Sequence, residues 1–252
     1  MSSRMSRRDT LATIISRALF TTAPIVKLWN ASVPRNTRPP ISGNLTEDIQ
    51  AVIRQSERRT AISDHLLTLY TEAVEVKPKV IVELGTERGE STRVLAKVVE
   101  RCSGILVSVD IEDCSDVVRS DRWLFVRSDD VEFGGHWPDW ARARGLQETI
   151  DFLFIDTSHL YDHTQAEIRL WFPHLGPQAK VAFHDTNLSA FFHRRDGSVD
   201  ISWDNQRGVI RAIEEYLGVS IDERRAFCGV ARGWLVRHEP ICNGLTVLRR
   251  LA

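Results

Sequence analysis

The chain is 252 residues long, 42% hydrophobic and 27% charged, with a formal net charge of -1. That length favours one domain with at most an appendage, the apolar fraction excludes bulk disorder, and the charge balance excludes a polycationic nucleic-acid binder. The average hides a split: residues 1–40 carry seven basic residues against the single acid Asp9, and the remainder holds 26 basic and 33 acidic residues. A basic arm of +6 precedes an acidic body of -7.

The arm begins with a basic and apolar stretch that resembles a leader, but Arg17 interrupts the apolar run and no cleavage site follows. An amphipathic helix with Leu11, Ile14, Ile15, Ala18 and Leu19 on one face is expected instead, docking on its own domain or a partner subunit. No run reaches the roughly 20 apolar residues of a membrane span, so stable membrane insertion is not expected. Residues 31–46, rich in Pro, Ser, Asn and Gly, read as a linker. Helices are expected from about Thr46 and over Ser63–Val74. The four cysteines, Cys102, Cys114, Cys228 and Cys242, form no close pair; they read as free thiols of a reducing, cytoplasmic compartment. The arm and linker are assigned to residues 1–60 and a single domain to 61–252.

From Lys79 onward short β-branched runs alternate with helical spacing. Strands are expected at KVIVELG, GILVSVD, WLFVRSDD, IDFLFID and KVAFHD, with two more in the tail RRAFCGV … NGLTVLRR. The helical stretches are STRVLAKVVERC, HTQAEIRLWFPHL and NQRGVIRAIEEYLGV. This rhythm means an α/β fold with a mostly parallel sheet covered on both faces, and such sheets bind ligands beyond the carboxyl ends of their strands.

The first strand ends in VELGTERGES, where Gly85 and Gly89 permit a tight turn and Ser91 or Thr92 can cap the next helix. Glu87 occupies the place of the middle glycine of a dinucleotide fingerprint, and no Gly-Lys-Ser/Thr follows, so a diphosphate loop is excluded. Glu83 and Glu87 suit a ligand with a positive centre. Asp110, ending the second strand about 20 residues on, is placed to accept both ribose hydroxyls. Asp129 and Asp130, after the third, are candidates for an adenine amino group. Asp156 and Asp185 end adjacent strands, so their carboxylates can converge on Mg²⁺ or another divalent cation, with His184 or a later acid as third ligand. His159, three residues past Asp156, is placed as a general base on a hydroxyl polarised by that metal. Capping, surface and strand-end roles are the plain alternatives for each of these residues. The segment 187–204, with Phe191, Phe192, His193, Arg194, Arg195 and Trp203, follows the fifth strand and is a candidate lid or acceptor lining.

Together these residues resemble the class I S-adenosylmethionine (SAM)-dependent methyltransferases, within them the metal-dependent O-methyltransferases related to macrocin O-methyltransferase and the cephalosporin hydroxylase-like proteins. The resemblance covers roughly residues 60–250 and rests most on DFLFIDTSHLYDHTQAEIRLWFPHLGPQAKVAFHDT. It implies a Rossmann-like, seven-stranded sheet with one antiparallel strand, preceded here by a helical N-terminal extension. SAM would lie over Glu83, Gly85, Thr86, Gly89 and Ser91, with ribose on Asp110 and adenine near Asp129 or Asp130. A divalent metal would sit on Asp156, Asp185 and possibly His184, with His159 as base. Many relatives carry two successive acids where this chain has His184-Asp185, which leaves the third ligand open. The implied reaction is O-methylation of a sugar or glycosylated metabolite, a methylated mannoside or polysaccharide precursor being the first guess, by a homo-oligomer assembled through the arm. The alternatives are a hydroxylase with iron at His159, His184 and Asp185, and a scaffold with a degenerate SAM site.

Overall fold

The structure is a computed structural model that describes residues 23–32 and 45–251. The helix expected over Leu11–Leu19 and most of the linker lie outside the described residues. Residues 23–32 are helical (α1). The chain continues as α2 (Glu47–Ser56), a 3₁₀ turn (Ser63–His65), α3 (Leu66–Glu75), β1 (Val80–Leu84), α4 (Glu90–Cys102), β2 (Ile105–Asp110) and β3 (Trp123–Arg127). It then forms α5 (Asp130–Gly134), α6 (Trp137–Ala143), β4 (Ile150–Ile155), α7 (Tyr161–Trp171) and β5 (Leu175–His184). The C-terminal part comprises β6 (Phe191–His193), β7 (Val199–Ile201), α8 (Gly208–Leu217), β8 (Phe227–Ala231), β9 (Trp234–Glu239) and β10 (Leu245–Arg250).

The central sheet has the order β3-β2-β1-β4-β5-β10-β9-β8. β1 to β5 are mutually parallel, and each of the last three strands runs antiparallel to the neighbour it joins. The fold class is thus a mostly parallel Rossmann-like sheet, but with eight strands rather than the seven implied by resemblance, and with three tail strands rather than two. The additional strand is half of a hairpin: Arg232 and Gly233 both take positive φ (47° and 77°) between β8 and β9, the geometry that matches the twist of paired strands. The segment 187–204, the candidate lid or acceptor lining, contains the two-stranded β6-β7 sheet.

Side chains of alternate strand residues part to the two faces of the sheet. Val80, Val82 and Leu84 of β1 join Leu153 and Ile155 against Phe133, Trp137, Trp171 and Ile210. Ile81 joins Phe152 and Phe154 against Leu66, Leu69, Tyr70, Val94 and Leu95. Val52 of α2 is fully buried in the same cluster, so α2, which the expected boundary at residue 60 leaves in the arm, packs into the domain. Lys180 of β5 is nearly buried on the α3 face; Glu72 and Glu75 each accept from its Nζ at 2.6 Å. The strand order reverses beside β1, between β2 and β4, so the carboxyl ends of β1, β4 and β5 frame one cleft.

Candidate active site

The turn after β1 is shaped by Gly85. Its φ is +88°, and a Cβ there would stand 2.0 Å from the carbonyl oxygen of Asp156. The glycine loop and the β4 end therefore touch backbone to backbone. Glu83 shares the parity of Ile81 and points between the sheet and α4. It accepts hydrogen bonds from Ser91 Oγ (2.6 Å) and Ser108 Oγ (2.5 Å) and is wholly buried. Burial pushes its carboxyl up to about 7, against the opposing pull of the serine and threonine hydroxyls. Glu83 thus braces the loop from beneath rather than opening into the cleft, while Glu87, at φ 46°, projects outward.

Asp110 Oδ2 accepts from the backbone N–H of Thr86 (2.7 Å) and Glu87 (3.0 Å), and Oδ1 accepts from Glu112 N–H (2.9 Å). The acid at the β2 end ties the glycine loop to its own strand. Thr86 Oγ1 is buried with no hydrogen-bond partner, which marks this loop as a polar cradle with unmet bonding capacity. Asp129 is the N-cap of α5, accepting from Glu132 N–H at 2.9 Å. Asp130 turns inward instead, where its Oδ1 meets His163 Nε2 at 3.0 Å.

At the ends of β4 and β5 the four expected residues converge. His159 Nε2 stands 2.7 Å from Asp185 Oδ2 and 3.2 Å from Asp156 Oδ1. His184 Nδ1 stands 3.3 Å from Asp156 Oδ1 and 3.1 Å from Asp185 Oδ1. One ligand atom each of Asp156, His184 and Asp185 fits within a 4.8 Å sphere of mutual distances. His184 Nε2 lies 3.2 Å from Cys242 O; donation there leaves Nδ1 facing the acids. Burial alone pulls the His184 imidazole down, but Asp185 and Asp156 together hold it well above its ordinary value. Burial likewise raises Asp185, and His184 and His159 overcome it to leave the carboxyl low. A proton on Nδ1 and a cation among these three donors are interchangeable answers to the same excess of negative charge. Asp185 Oδ1, buried and without a hydrogen-bond donor of good geometry, fits a cation. His159 and Asp185 both adopt positive φ (59° and 55°), the local strain common at functional turns.

Three contacts complete the site, and of their residues only Trp203, in the candidate lid 187–204, stands out in the sequence. His65 packs edge-on against His184 with ring centroids 5.6 Å apart. Burial pulls the His65 imidazole down to about 3, so it stays neutral beneath its neighbour. Trp203, just after β7, meets His159 edge-on at 5.9 Å and is 44% exposed. The β6-β7 hairpin is in turn held by α1: Asn30 Nδ2 donates to Val199 O (2.7 Å), Val199 N–H donates to Asn30 Oδ1 (2.9 Å), and Trp29 Nε1 donates to Gly197 O (3.2 Å). The N-terminal extension is thereby fastened to the segment that reaches the catalytic histidine candidate. Among the described residues no helix is long and apolar enough to cross a membrane.

A family model described as a methyltransferase domain matches residues 82–186, the stretch from the glycine loop to the β5 end. No curated protein sequence matches the chain. A methyltransferase from Geobacter sulfurreducens is 16% identical, with 85% of this chain and 92% of that chain covered and a TM-score of 0.51. The SAH-bound methyltransferase PaMTH1 of Podospora anserina is 11% identical over the whole of both chains, with a TM-score of 0.50. MycE, a methyltransferase from the mycinamycin biosynthetic pathway solved with Mg, SAH and mycinamycin VI, is 17% identical with a TM-score of 0.52; 83% of this chain aligns to 56% of that one. Residues 82–186 thus match a methyltransferase domain, and the chain as a whole shares the fold of solved methyltransferases.

Proposed function

We propose that the protein transfers the methyl group of SAM to a hydroxyl of a sugar or glycosylated small molecule, with a divalent cation held by Asp156, His184 Nδ1 and Asp185 and with His159 as general base. The observation that carries this reading is the aim of His159 Nε2 at the same two carboxylates that His184 Nδ1 faces. A proton acceptor and a cation seat share one focus. The cation, when bound, would supply Lewis acidity toward the acceptor hydroxyl. His159 Nε2 takes the hydroxyl proton. The acceptor oxygen attacks the methyl carbon in line, the carbon–sulfur bond breaks, and its electron pair stays on sulfur.

The remaining residues position and exclude. The loop from Gly85 to Gly89 and Asp110 would hold the donor, with Glu83 supporting that loop from below. Much of the rate in such a transfer comes from alignment of the two substrates. Trp203 offers an exposed ring beside His159, a surface on which a sugar face can stack. MycE, a structure of the same fold, was solved with Mg, SAH and mycinamycin VI, in keeping with a metal-assisted transfer to a small-molecule acceptor.

The test is transfer of a labelled methyl from SAM to a panel of sugar and glycoside acceptors, with and without chelator. His159→Ala should abolish turnover and leave SAM affinity within about threefold. A variant that keeps full activity removes His159 from the mechanism. Oxygen consumption without methyl transfer would overturn the reaction class in favour of an iron-dependent hydroxylase.

A further inference from the structure

A second cluster of ligating side chains lies outside the site just described. Asp130 opens α5, and His163 and Glu167 stand four residues apart on α7, hence on one helical face. His163 Nε2 is 3.0 Å from Asp130 Oδ1 and 3.7 Å from Glu167 Oε1. One donor atom of each of the three lies within 4.8 Å of the other two. The Glu167 side chain is wholly buried, and that of Asp130 is 9% exposed.

Both acids keep an oxygen unmet. Asp130 Oδ2 and Glu167 Oε2 are buried with no hydrogen-bond partner. Among the described residues neither acid pairs with a lysine or an arginine; the only basic side chain at either is His163. One imidazole can compensate one carboxylate, so two buried acids side by side leave negative charge unanswered, an arrangement that requires a cation or a shared proton. Of the other two carboxylate oxygens, Asp130 Oδ1 faces His163 and Glu167 Oε1 accepts from Thr157 Oγ1 at 2.6 Å, while Trp171 Nε1 holds the Asp130 main chain by donating to its carbonyl at 3.2 Å. Such outer contacts orient ligands around an ion. The His163 side chain is 24% exposed and gives the pocket its opening.

We propose that Asp130, His163 and Glu167 form a second divalent-cation site, distinct from the Asp156–His184–Asp185 centre and suited to a nitrogen- and oxygen-preferring ion of the Mn²⁺ or Zn²⁺ class. Imidazole plus two carboxylates is a borderline donor set that favours first-row transition ions over Ca²⁺. Through Thr157, the neighbour of Asp156, an ion here would stiffen the turn that carries the Asp156 carboxylate. The inference stands whether or not the methyl-transfer reading does.

The experiment is Mn²⁺ titration of the full chain, followed by the electron paramagnetic resonance signal of the free ion. Asp185→Asn, which disables the other centre, should still bind one ion. Adding His163→Ala or Glu167→Gln to it should weaken that binding by at least about tenfold. Mn²⁺ should raise the Tm of Asp185→Asn and not that of Asp185→Asn/His163→Ala. Because His163 is partly exposed, its replacement serves even where Glu167→Gln fails to fold. An Asp185→Asn chain that binds no Mn²⁺, or that binds it equally well after His163→Ala, overturns the proposal and leaves a proton shared between the two acids. A parent chain binding a single ion that Asp185→Asn retains would sink the Asp185 centre and support this one.

Discussion

Gly85→Ala tests the backbone contact between the glycine loop after β1 and the turn after β4, the proposed donor and metal turns. Alanine at φ +88° carries a left-handed backbone cost of about 1–2 kcal/mol. Its Cβ would also meet the Asp156 carbonyl oxygen at 2.0 Å, backbone that cannot rotate away, so the two turns must separate by more than an ångström. Overpacking of that kind adds about 1–3 kcal/mol. The sum is roughly 2–5 kcal/mol, or about 5–20 °C in Tm for a chain of this size. Gly145→Ala is the control: its φ is +69°, but nothing lies within 4 Å of the added Cβ, so it carries the backbone cost alone. Thermal melts of both variants, with calorimetric titration of SAM, separate the two effects. Gly85→Ala should melt well below Gly145→Ala and lose at least about tenfold in SAM affinity, because an ångström of displacement at a binding turn is that expensive. Equal melting temperatures together with unchanged SAM affinity would refute the claim that the two turns are locked to each other.

Glu83 gives a pH signature. The folded state holds its proton up to about 7, while an unfolded glutamate releases it near 4.3. Ionisation across that window therefore weakens the fold, and stability from this group falls as pH rises, by about 4 kcal/mol in all. Glu83→Gln should remove the effect, so its stability advantage in urea unfolding should grow between pH 5 and 8; a constant difference would disprove the buried-acid account. Lys180→Met should cost only about 1–2 kcal/mol, because Glu72 keeps Arg237 at 2.8 Å and Glu75 keeps Arg249 at 3.1 Å. A loss above about 4 kcal/mol in the same assay would show that those arginines do not compensate. Trp203→Ala should raise the acceptor KM about two- to tenfold with SAM affinity unchanged. A fall in kcat at constant KM would assign the ring to orienting His159 instead.

The parallel half of the sheet is readable in the chain because β1, β2, β4 and β5 are continuous apolar runs ending in turn residues, and the acids at their ends converge as the topology requires. Sequence pattern loses its signal where the periodic run is short or the partner is distant. β6 and β7 are three residues each, too brief for a period-two signal. β9, Trp234–Glu239, does alternate, but it follows β8 after a two-residue turn at Arg232-Gly233, and the tail merged into fewer strands. Asp129 and Asp130 look alike in sequence, yet one caps α5 and the other pairs with a histidine 33 residues on. Glu83 lies in β1 and Asp110 ends β2, and their bonds in this structure are to the protein's own hydroxyls and amides. Local pattern locates a strand end; only the packed helices decide which way its carboxylate turns. His65 was invisible for the same reason, since its meeting with His184 is made by α3 lying on β5.

Asn30 has one more consequence. Its side-chain amide donates to and accepts from the two main-chain groups of Val199, so it imitates one residue of a neighbouring strand. β7 is an edge strand of a two-stranded sheet, and an unpaired edge is a template for another chain. The amide therefore works as a plug on that edge. Removing residue 30, by substitution or by proteolytic trimming, leaves Val199 with a free donor and a free acceptor on an outward-facing strand, and self-association should begin there.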